Sequence, residues 1–565
     1  MQLLKNSEER GGLKINMTKM ACAPILRLTQ RTWQPDETEE EVVQDSNQSD
    51  YSVHEPDNDR DTPSEVLEEE HGQQAPVTDQ PRQGPDHSGR KGKIKWPPSN
   101  SKAEWKKFDE DVDAILAASS AGGVDRKIEG MSAIIYNVGL DRLGLEEQKQ
   151  QGRSINKSRR QQEMAKLRKY LRQLARQYRL ASGTLTAGKE EVEDHLRDMH
   201  SDPIRNENLP DYEKLIRPEE PEQPFDESEP KLKEVREVIR KARAGSSPGP
   251  NGVPYKVYKN CSRLTVRLWM YLRIVWRRGR LTDSWHQAKG CFIPKEENSE
   301  LLNQFRTISL LNIEGEIFIA IVAKRMTTYM LTNRHIEISV QKGGVPCVSG
   351  CVEHTSVLSQ IIREAKEQKG GLAVIWLDLA NAYGSMPYKV VQLTLERYHV
   401  PEKNRHLLED YIDRLQLKFT LRDLTTSWQR LEVGIVTGCT VLVILFSAAM
   451  NLMVKSLGKM SRWPWMKGGV RQPPLRAFMD DMTISTKTVV EAKWTLEEIK
   501  DIISCARMRI KPVKSRSLVL RKGKVCREVF KIGEDIIPTV SEKPVKCLGK
   551  YFDDTLNSWR RGECQ

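Results

Sequence analysis

The chain has 565 residues, more than one ordinary hydrophobic core can organise, so two or three structural units with unstructured connections are expected. Its net charge of +12 is unevenly spread: residues 1–90 hold 9 Lys and Arg against 19 Asp and Glu, a balance of −10, and the remainder carries 81 against 59, or +22. A basic region of that size most often faces a polyanion, nucleic acid backbone being the commonest. The ten cysteines are scattered singly, and no apolar run precedes Met20, which excludes a disulfide-framed secreted scaffold and implies a reduced intracellular compartment.

From Thr32 to Asp86 the sequence is acidic, rich in Gln, Pro and Ser and poor in aromatic and branched residues. It cannot bury enough apolar surface to offset its chain entropy, so residues 1–90 read as a disordered acidic region. Residues 88–108 turn basic, and Pro97 and Pro98 mark a break before a helix beginning near Ser101, with Ser101 and Glu104 spaced as a capping box. Residues 153–179 hold ten Lys or Arg and one acid, with Met164, Leu167, Leu171, Leu174 and Tyr178 at helical spacing. A solvated helix packed on a neighbour and an RNA-binding helix account for that stripe equally well.

The run KLKEVREVIRKARAG predicts an amphipathic helix ending at Gly245, followed by the turn-rich SSPGPNGVPY, so the folded catalytic region is expected to start near Pro230. In QKGGVPCVSGCVEH, Cys347, Cys351 and His354 come nearest to a zinc pattern, but no second ligand pair follows at a finger-like distance, and a turn rich in small residues is the better reading. The run LAVIWL ends on Asp378 and suits a buried strand with a carboxylate at its tip. Residues 433–454 carry no charged side chain and are long enough to count as a membrane span. Gly434, Thr437, Gly438, Thr440, Ser447 and Asn451 make the segment polar for a lone span, so a glycine turn and a helix buried behind a sheet is preferred. LRAFMDDMTIS alternates on both sides of Asp480 and Asp481 and suits a tight β-hairpin. The overall class is α+β.

Asp378 and the Asp480–Asp481 pair lie 102 residues apart. Brought together, they would place three carboxylates on one edge of a sheet, a donor set for hard divalent cations. Two such ions about 4 Å apart suit nucleotidyl transfer, since they activate a hydroxyl and neutralise a triphosphate. An Asp pair in an ordinary solvated turn is the competing reading.

The flanking residues carry a more specific signal. RAFMDDMTIS resembles the two-aspartate motif of reverse transcriptases, with Phe478 where the family more often has Tyr, and LDLANAYGSMP resembles the first-aspartate motif as written in non-LTR (LINE-type) retrotransposons. SSPGPNGVPY is similar to the amino-terminal extension loop of those enzymes. IPKEENS, FRTISLLN and QKGGVPCVSGCVEHTSV resemble fingers blocks, GIVTGCTVLVILF the block with the glycine turn beneath the nucleotide, RIKPVKSRSLVL the segment with the pyrophosphate-side lysine, and VKCLGKYF the primer-grip turn. The blocks stand in family order over roughly Lys231 to Asp554.

The resemblance implies a right-hand polymerase fold with an antiparallel palm sheet packed on helices: 91–230 a basic helical linker, 231–370 fingers, 371–525 palm, and 526–565 the primer-grip segment and a truncated carboxyl end. It implies an RNA-directed DNA polymerase, or an inactive descendant that only binds nucleic acid. Asp378, Asp480 and Asp481 would hold two Mg2+ ions, with Mn2+ an alternative. Lys295 and Arg306 would contact the triphosphate, Tyr383 would exclude a 2′ hydroxyl, Gly438 would meet the nucleotide through its backbone, and Lys514, ahead of Lys511, would approach the leaving pyrophosphate. The partners would be an RNA template, a DNA primer and deoxynucleoside triphosphates, with no membrane, in the nucleus or cytoplasm. The sequence departs from the family at Gly384, where many relatives are acidic, and at Thr437, where many have Gln. Asp553 and Asp554 repeat the FDD string but are expected to lie outside the site. With no apurinic-type endonuclease in residues 1–230 and no thumb after the primer grip, a fragment of an element is expected.

Overall fold

The structure, a computed structural model, describes residues 91–146, 187–295, 299–344, 350–421, 424–435, 437–457, 469 and 472–555. The acidic amino-terminal stretch and the basic stripe at 153–179 lie outside those residues.

Two helices come first, α1 (Lys102–Ser119) and α2 (Val124–Leu143). Ser101 stands at the N-cap of α1, yet its side chain makes no capping bond, so the expected box with Glu104 does not close. Aromatic packing holds this region instead: Trp96 stacks on Trp105 at 5.9 Å with Phe108 edge-on to both. Next come α3 (Lys189–His200), α4 (Leu232–Lys241), α5 (Tyr255–Asn260) and α6 (Ser262–Arg278). The amphipathic helix expected to end at Gly245 is α4, which stops at Lys241.

Helix α1 reaches α6 through Asp109. This buried carboxylate accepts the backbone N–H groups of Arg263 and Leu264 at 2.9 and 3.1 Å, capping a helix whose own N-cap, Cys261, offers no side-chain bond. Trp105, Ile128, Val192, Leu196, Leu215 and Phe225 belong to the same continuous core as the sheets. The described helices before Pro230 thus share one core with the sheets, because these amphipathic helices bury their apolar stripes on the rest of the chain.

The remaining elements alternate: β1 (Gln287–Pro294), β2 (Phe305–Leu311), α7 (Ile313–Thr332), α8 (Gly350–Glu367), β3 (Leu372–Leu377), α9 (Ala382–Ser385), α10 (Tyr388–Arg397), α11 (Glu402–Asp413), β4 (Gln416–Leu421), β5 (Leu424–Thr425), β6 (Gln429–Arg430), α12 (Thr440–Leu457), β7 (Leu475–Phe478), β8 (Asp481–Thr486), α13 (Val489–Cys505), β9 (Arg516–Arg521), β10 (Lys524–Cys526), β11 (Phe530–Ile532), β12 (Asp535–Ile537), β13 (Val545–Cys547) and β14 (Lys550–Phe552). They give an α+β architecture. One sheet has the order β2-β1-β4-β5, with β6 also on β4, and is mixed because β1 runs parallel to β4. The other has the order β10-β9-β3-β8-β7 and is antiparallel throughout.

Strand β3 is buried along its whole length because both faces are covered. Ala373, Ile375 and Leu377 enter the main core, while Leu372, Val374 and Trp376 enter a smaller one with Leu358 and Ile362 of α8, Cys547 and Phe552. Helix α12 is long and apolar enough to cross a membrane, but 83% of that stretch is buried inside the protein. Its polar residues are satisfied by protein: Asn451 donates to the His335 carbonyl and the Tyr398 hydroxyl at 2.6 and 2.8 Å, and Ser447 donates to the Gly343 carbonyl at 3.0 Å.

Arg325 of α7 ties the 226–234 segment to the body. Its side chain is 3% exposed, donates to both Glu234 oxygens at 3.0 and 2.7 Å, reaches the Asp226, Ser228 and Glu229 carbonyls, and lies 5.1 Å from the Trp276 ring centre. Removing one partner strands the other. Arg325→Ala is expected to cost roughly 3–5 kcal/mol in urea unfolding, with Arg325→Lys in between because an ammonium cannot span the same acceptors.

Burial raises the Glu316 carboxyl to about 7, opposed by its bond from Tyr255. A folded-state value above the unfolded one favours the protonated form, so this group's contribution is full at low pH and lost as pH rises through about 7. Glu316→Gln is therefore expected to raise the melting temperature by a few degrees at pH 8 and to change it little at pH 5, as thermal scans at the two pH values would show.

Candidate active site

The hairpin β7–β8 pairs Phe478 with Asp481 across a two-residue turn, Met479–Asp480. Met479 adopts a positive φ of 57°, which a tight turn between twisted strands requires. On the other side of β8, β3 pairs in a register that ends with Leu377 opposite Met482. The next step of that register brings Asp378 beside Asp481, so all three aspartates stand at one end of the antiparallel sheet, each half-buried. The Asp378 backbone is held on its far side, where its N–H donates to Ser515 Oγ at 3.2 Å and its carbonyl accepts from the Lys511 N–H at 2.7 Å.

These carboxylates supply the hard oxygen donors that Mg2+ prefers. Among the described residues no three His, Cys, Asp or Glu side chains form a group able to hold an ion. Mg2+ keeps waters and substrate phosphates in its shell and rarely needs an all-protein cage, so the donor set fits an ion that arrives with a nucleotide.

A cationic wall stands close by. Partial burial holds the Lys295 ammonium below the usual lysine value, and Arg306, Lys514 and Lys511 push it in the same direction. Four cations gathered this closely repel one another, an arrangement that a polyanion relieves. Arg306 sits opposite Ile293 in the β1–β2 register, and Lys295 lies one residue beyond the end of β1 at Pro294. Lys514 closes the short 3-10 turn Pro512–Lys514, three residues past the backbone contact that Lys511 makes with Asp378.

Tyr383 lies on α9 and stacks on Phe446 of α12 at 4.2 Å with the rings 12° from parallel, so both rotation and translation of its ring are restricted. Its carbonyl accepts from the Ile435 N–H at 2.6 Å. At Gly384 a Cβ would press on the Asn381 side-chain amide, and a Cβ on Gly434 would meet the Gly384 carbonyl at 2.7 Å. Gly438 has φ +123°, and a Cβ on it would meet the Ser309 carbonyl of β2 at 2.5 Å. Thr437 joins the same contact, its carbonyl accepting the Ser309 N–H at 2.9 Å. The glycine turn is thus seated on the strand that carries Arg306.

Several neighbours of the site were not anticipated from sequence. Gln341 is fully buried and bonds to the Met479 backbone; a Gln inside a glycine-flanked segment is the only hint. Ser515 lies between Lys514 and Arg516 and offered no pattern. His195 of α3 sits near Lys295: burial holds its imidazole below the ordinary value, with Asp198 opposing and Lys295 reinforcing the shift.

Two weaker candidates also resolve. Cys347 lies outside the described residues, and from Gly350 onward the chain is helix α8 rather than a turn; His354 is buried there, 3.2 Å from Thr483 Oγ1. Asp553 follows β14 and accepts from the Thr555 N–H and hydroxyl at 3.1 and 2.6 Å, a local turn cap. VKCLGKYF forms the β13–β14 hairpin with Leu548 and Gly549 at positive φ.

Residues 293–552 match the family described as reverse transcriptase (RNA-dependent DNA polymerase). The chain is similar to the retrovirus-related Pol polyprotein from type-1 retrotransposable element R2 of Nasonia vitripennis, 22% identical over 335 residues that make up 58% of this chain and 31% of that protein. It is similar to the corresponding R2 polyprotein of Popillia japonica, 22% identical over 332 residues, 56% of this chain and 45% of that one. The chain thus spans less than half the length of these relatives. The three aspartates and the four cations all fall inside the matched segment, and residues 293–552 form a reverse transcriptase domain of the non-LTR retrotransposon kind.

Proposed function

We propose that this chain is an RNA-directed DNA polymerase, extending a DNA primer on an RNA template with deoxynucleoside triphosphates. The observation that carries the reading is the gathering of three aspartates at one sheet end, with Lys511 joined to Asp378 through the backbone and Lys295 within electrostatic reach of Arg306, Lys511 and Lys514. In this reading the antiparallel sheet is the palm of a right-hand polymerase, the mixed sheet belongs to the fingers, and residues 526–555 with the β13–β14 hairpin serve as the primer grip. Strands β4 to β6 lie between palm elements in sequence, but β4 pairs with β1 and carries β5 and β6 with it, so the fingers combine residues 231–370 with residues 416–430. An intracellular location, nucleus or cytoplasm, follows from the same reading.

Two Mg2+ ions held with Asp378, Asp480 and Asp481 would lower the pKa of the primer 3′ hydroxyl and neutralise charge on the phosphates. Asp480, at the apex of the turn, is best placed to serve both ions, and Asp481 takes the lesser part. Lys295 and Arg306 bind the triphosphate as it arrives. Lys514, ahead of Lys511, stands by the leaving pyrophosphate, where a proton donor speeds departure. Tyr383, pinned on Phe446, closes the space beneath the sugar and favours a deoxyribose. Gly438, lacking a side chain, lets the nucleotide approach the backbone.

Primer extension on an RNA template with Mg2+ tests the reading. Wild type is expected to add deoxynucleotides, and the Asp480→Ala, Asp481→Ala double variant to lose at least roughly a thousandfold in rate, the scale on which removing charge stabilisation acts. If neither protein incorporates and both retain RNA in a salt-dependent way, the chain is a nucleic-acid binder without polymerase activity. Tyr383→Val is expected to leave deoxynucleotide addition near wild type while raising ribonucleotide addition by roughly tenfold or more, an effect of opening one steric barrier; unchanged sugar selectivity would remove Tyr383 from the gate.

A further inference from the structure

The turn that presents Asp480 is not self-supporting. Met479, the residue before it, holds a positive φ of 57°, uncommon for an unbranched side chain and sustained only where surroundings enforce it. Those surroundings come from residues 340–344. Gln341 is fully buried, and its Oε1 accepts two backbone N–H groups, Met479 and Gly343, at 2.9 Å each, while its Nε2 faces the Met479 carbonyl at 3.4 Å. Its own backbone lies alongside β7 in a parallel bridge to Ala477. The Lys342 N–H donates to the Ala477 carbonyl at 3.0 Å, and the Ala477 N–H donates to the Val340 carbonyl at 2.8 Å.

The approach is close enough that a Cβ at Gly343 would collide with Met479. Ser447 of α12 closes the other side, donating to the Gly343 carbonyl at 3.0 Å with its hydroxyl 3.2 Å from Met479 Sδ. Lys342, 5% exposed in its side chain, ties the segment to α8 through Glu353 at 2.7 Å. The turn is therefore gripped at its N–H and its carbonyl by one amide side chain, which is itself anchored in the core.

We infer that Gln341 is a positioning residue that sets the backbone of the Met479–Asp480 turn and thereby fixes where the Asp480 carboxylate meets a divalent ion. This rests on the polymerase reading for the role of Asp480, but the geometry makes a claim of its own. A carboxylate at a two-residue apex moves with every degree of φ at the preceding residue. Like charges from Asp378 and Asp481 favour moving it outward. A buried amide that bonds both polar groups of Met479 opposes that drift at no cost in net charge, which a lysine or arginine at the same place would not.

The test compares full-length wild type with Gln341→Met, which keeps the volume and removes all three bonds, and with Asn451→Ala, which removes buried bonds elsewhere on α12. Three readouts are taken: melting temperature, Mn2+ binding to the protein with bound deoxynucleoside triphosphate by electron paramagnetic resonance, and primer extension over a Mg2+ titration. Outer partners of metal ligands typically change affinity or activity by roughly 10- to 100-fold. Gln341→Met is expected to weaken Mn2+ binding and raise the Mg2+ half-saturation on that scale, with kcat lowered and the deoxynucleotide KM within about twofold. Asn451→Ala is expected to melt earlier with both metal readouts unchanged. Equal Mn2+ affinity in wild type and Gln341→Met overturns the inference, as does an equal metal defect in Asn451→Ala, which would mark general loosening. A wild type that binds Mn2+ without incorporating nucleotides, with binding weakened in Gln341→Met, upholds Gln341 and overturns the polymerase reading. A wild type that does neither overturns both.

Discussion

The pairing of β3 with β8 is the constraint on which the rest of the molecule depends. Side chains alternate along a strand, so a slip of one residue would move Ala373, Ile375 and Leu377 into the small core and Leu372, Val374 and Trp376 into the large one. Trp376 packs on Phe552 at 5.3 Å, whereas the smaller Ala373, Ile375 and Leu377 face the main core, where α12 and α13 lie against the sheet. The two cores therefore hold the register, and the register ending at Leu377 opposite Met482 places Asp378 beside Asp481. A carboxylate end this crowded is an electrostatic burden at rest, accepted because hydrophobic burial along six residues of β3 secures it.

The cations answer that burden from a different direction. Lys511 and Lys514 follow α13 and enter beside Asp378 through a backbone bond, whereas Lys295 and Arg306 come from the mixed sheet. Backbone contacts seat the loops around both sheets: Gly438 and Thr437 press on Ser309 of the mixed sheet, and the 340–344 segment presses on the Met479 turn of the antiparallel one. Such contacts tolerate little change in side-chain volume, which makes them better at fixing distance than exposed ion pairs, whose worth is small and salt-dependent.

Sequence reading succeeded where one residue type has one physical use. LAVIWL, apolar throughout, had to be covered on both faces, and LRAFMDDMTIS, alternating around two acids, had to turn at them. The buried fate of α12 was legible in Ser447 and Asn451, polar groups that lipid would not satisfy and that protein carbonyls and hydroxyls do. What escaped were interactions made at long range by side chains with several uses. Asp109 caps α6 from 154 residues away, and nothing in DEDVDA distinguishes it from its solvated neighbours. Gln341 and Ser515 act through backbone groups, which leave no complementary residue to find.

Gly384 shows how local and distant requirements trade against each other. An acid at this position would add a carboxylate near a site already holding three, whereas here Gly434, itself without a side chain, lies close against the Gly384 backbone of α9. That approach brings the Ile435 N–H onto the Tyr383 carbonyl and the Gly434 N–H onto Met386, and so ties α9 to the loop that leads into the Gly438 turn. Tyr383 is then held from two sides, by Phe446 against its ring and by the loop against its backbone. The close backbone approach thus adds rigidity around Tyr383, the residue proposed to close the space beneath the sugar. Thr437 fits the same logic: its contact with Ser309 runs through its carbonyl, a bond that any residue at this position can make.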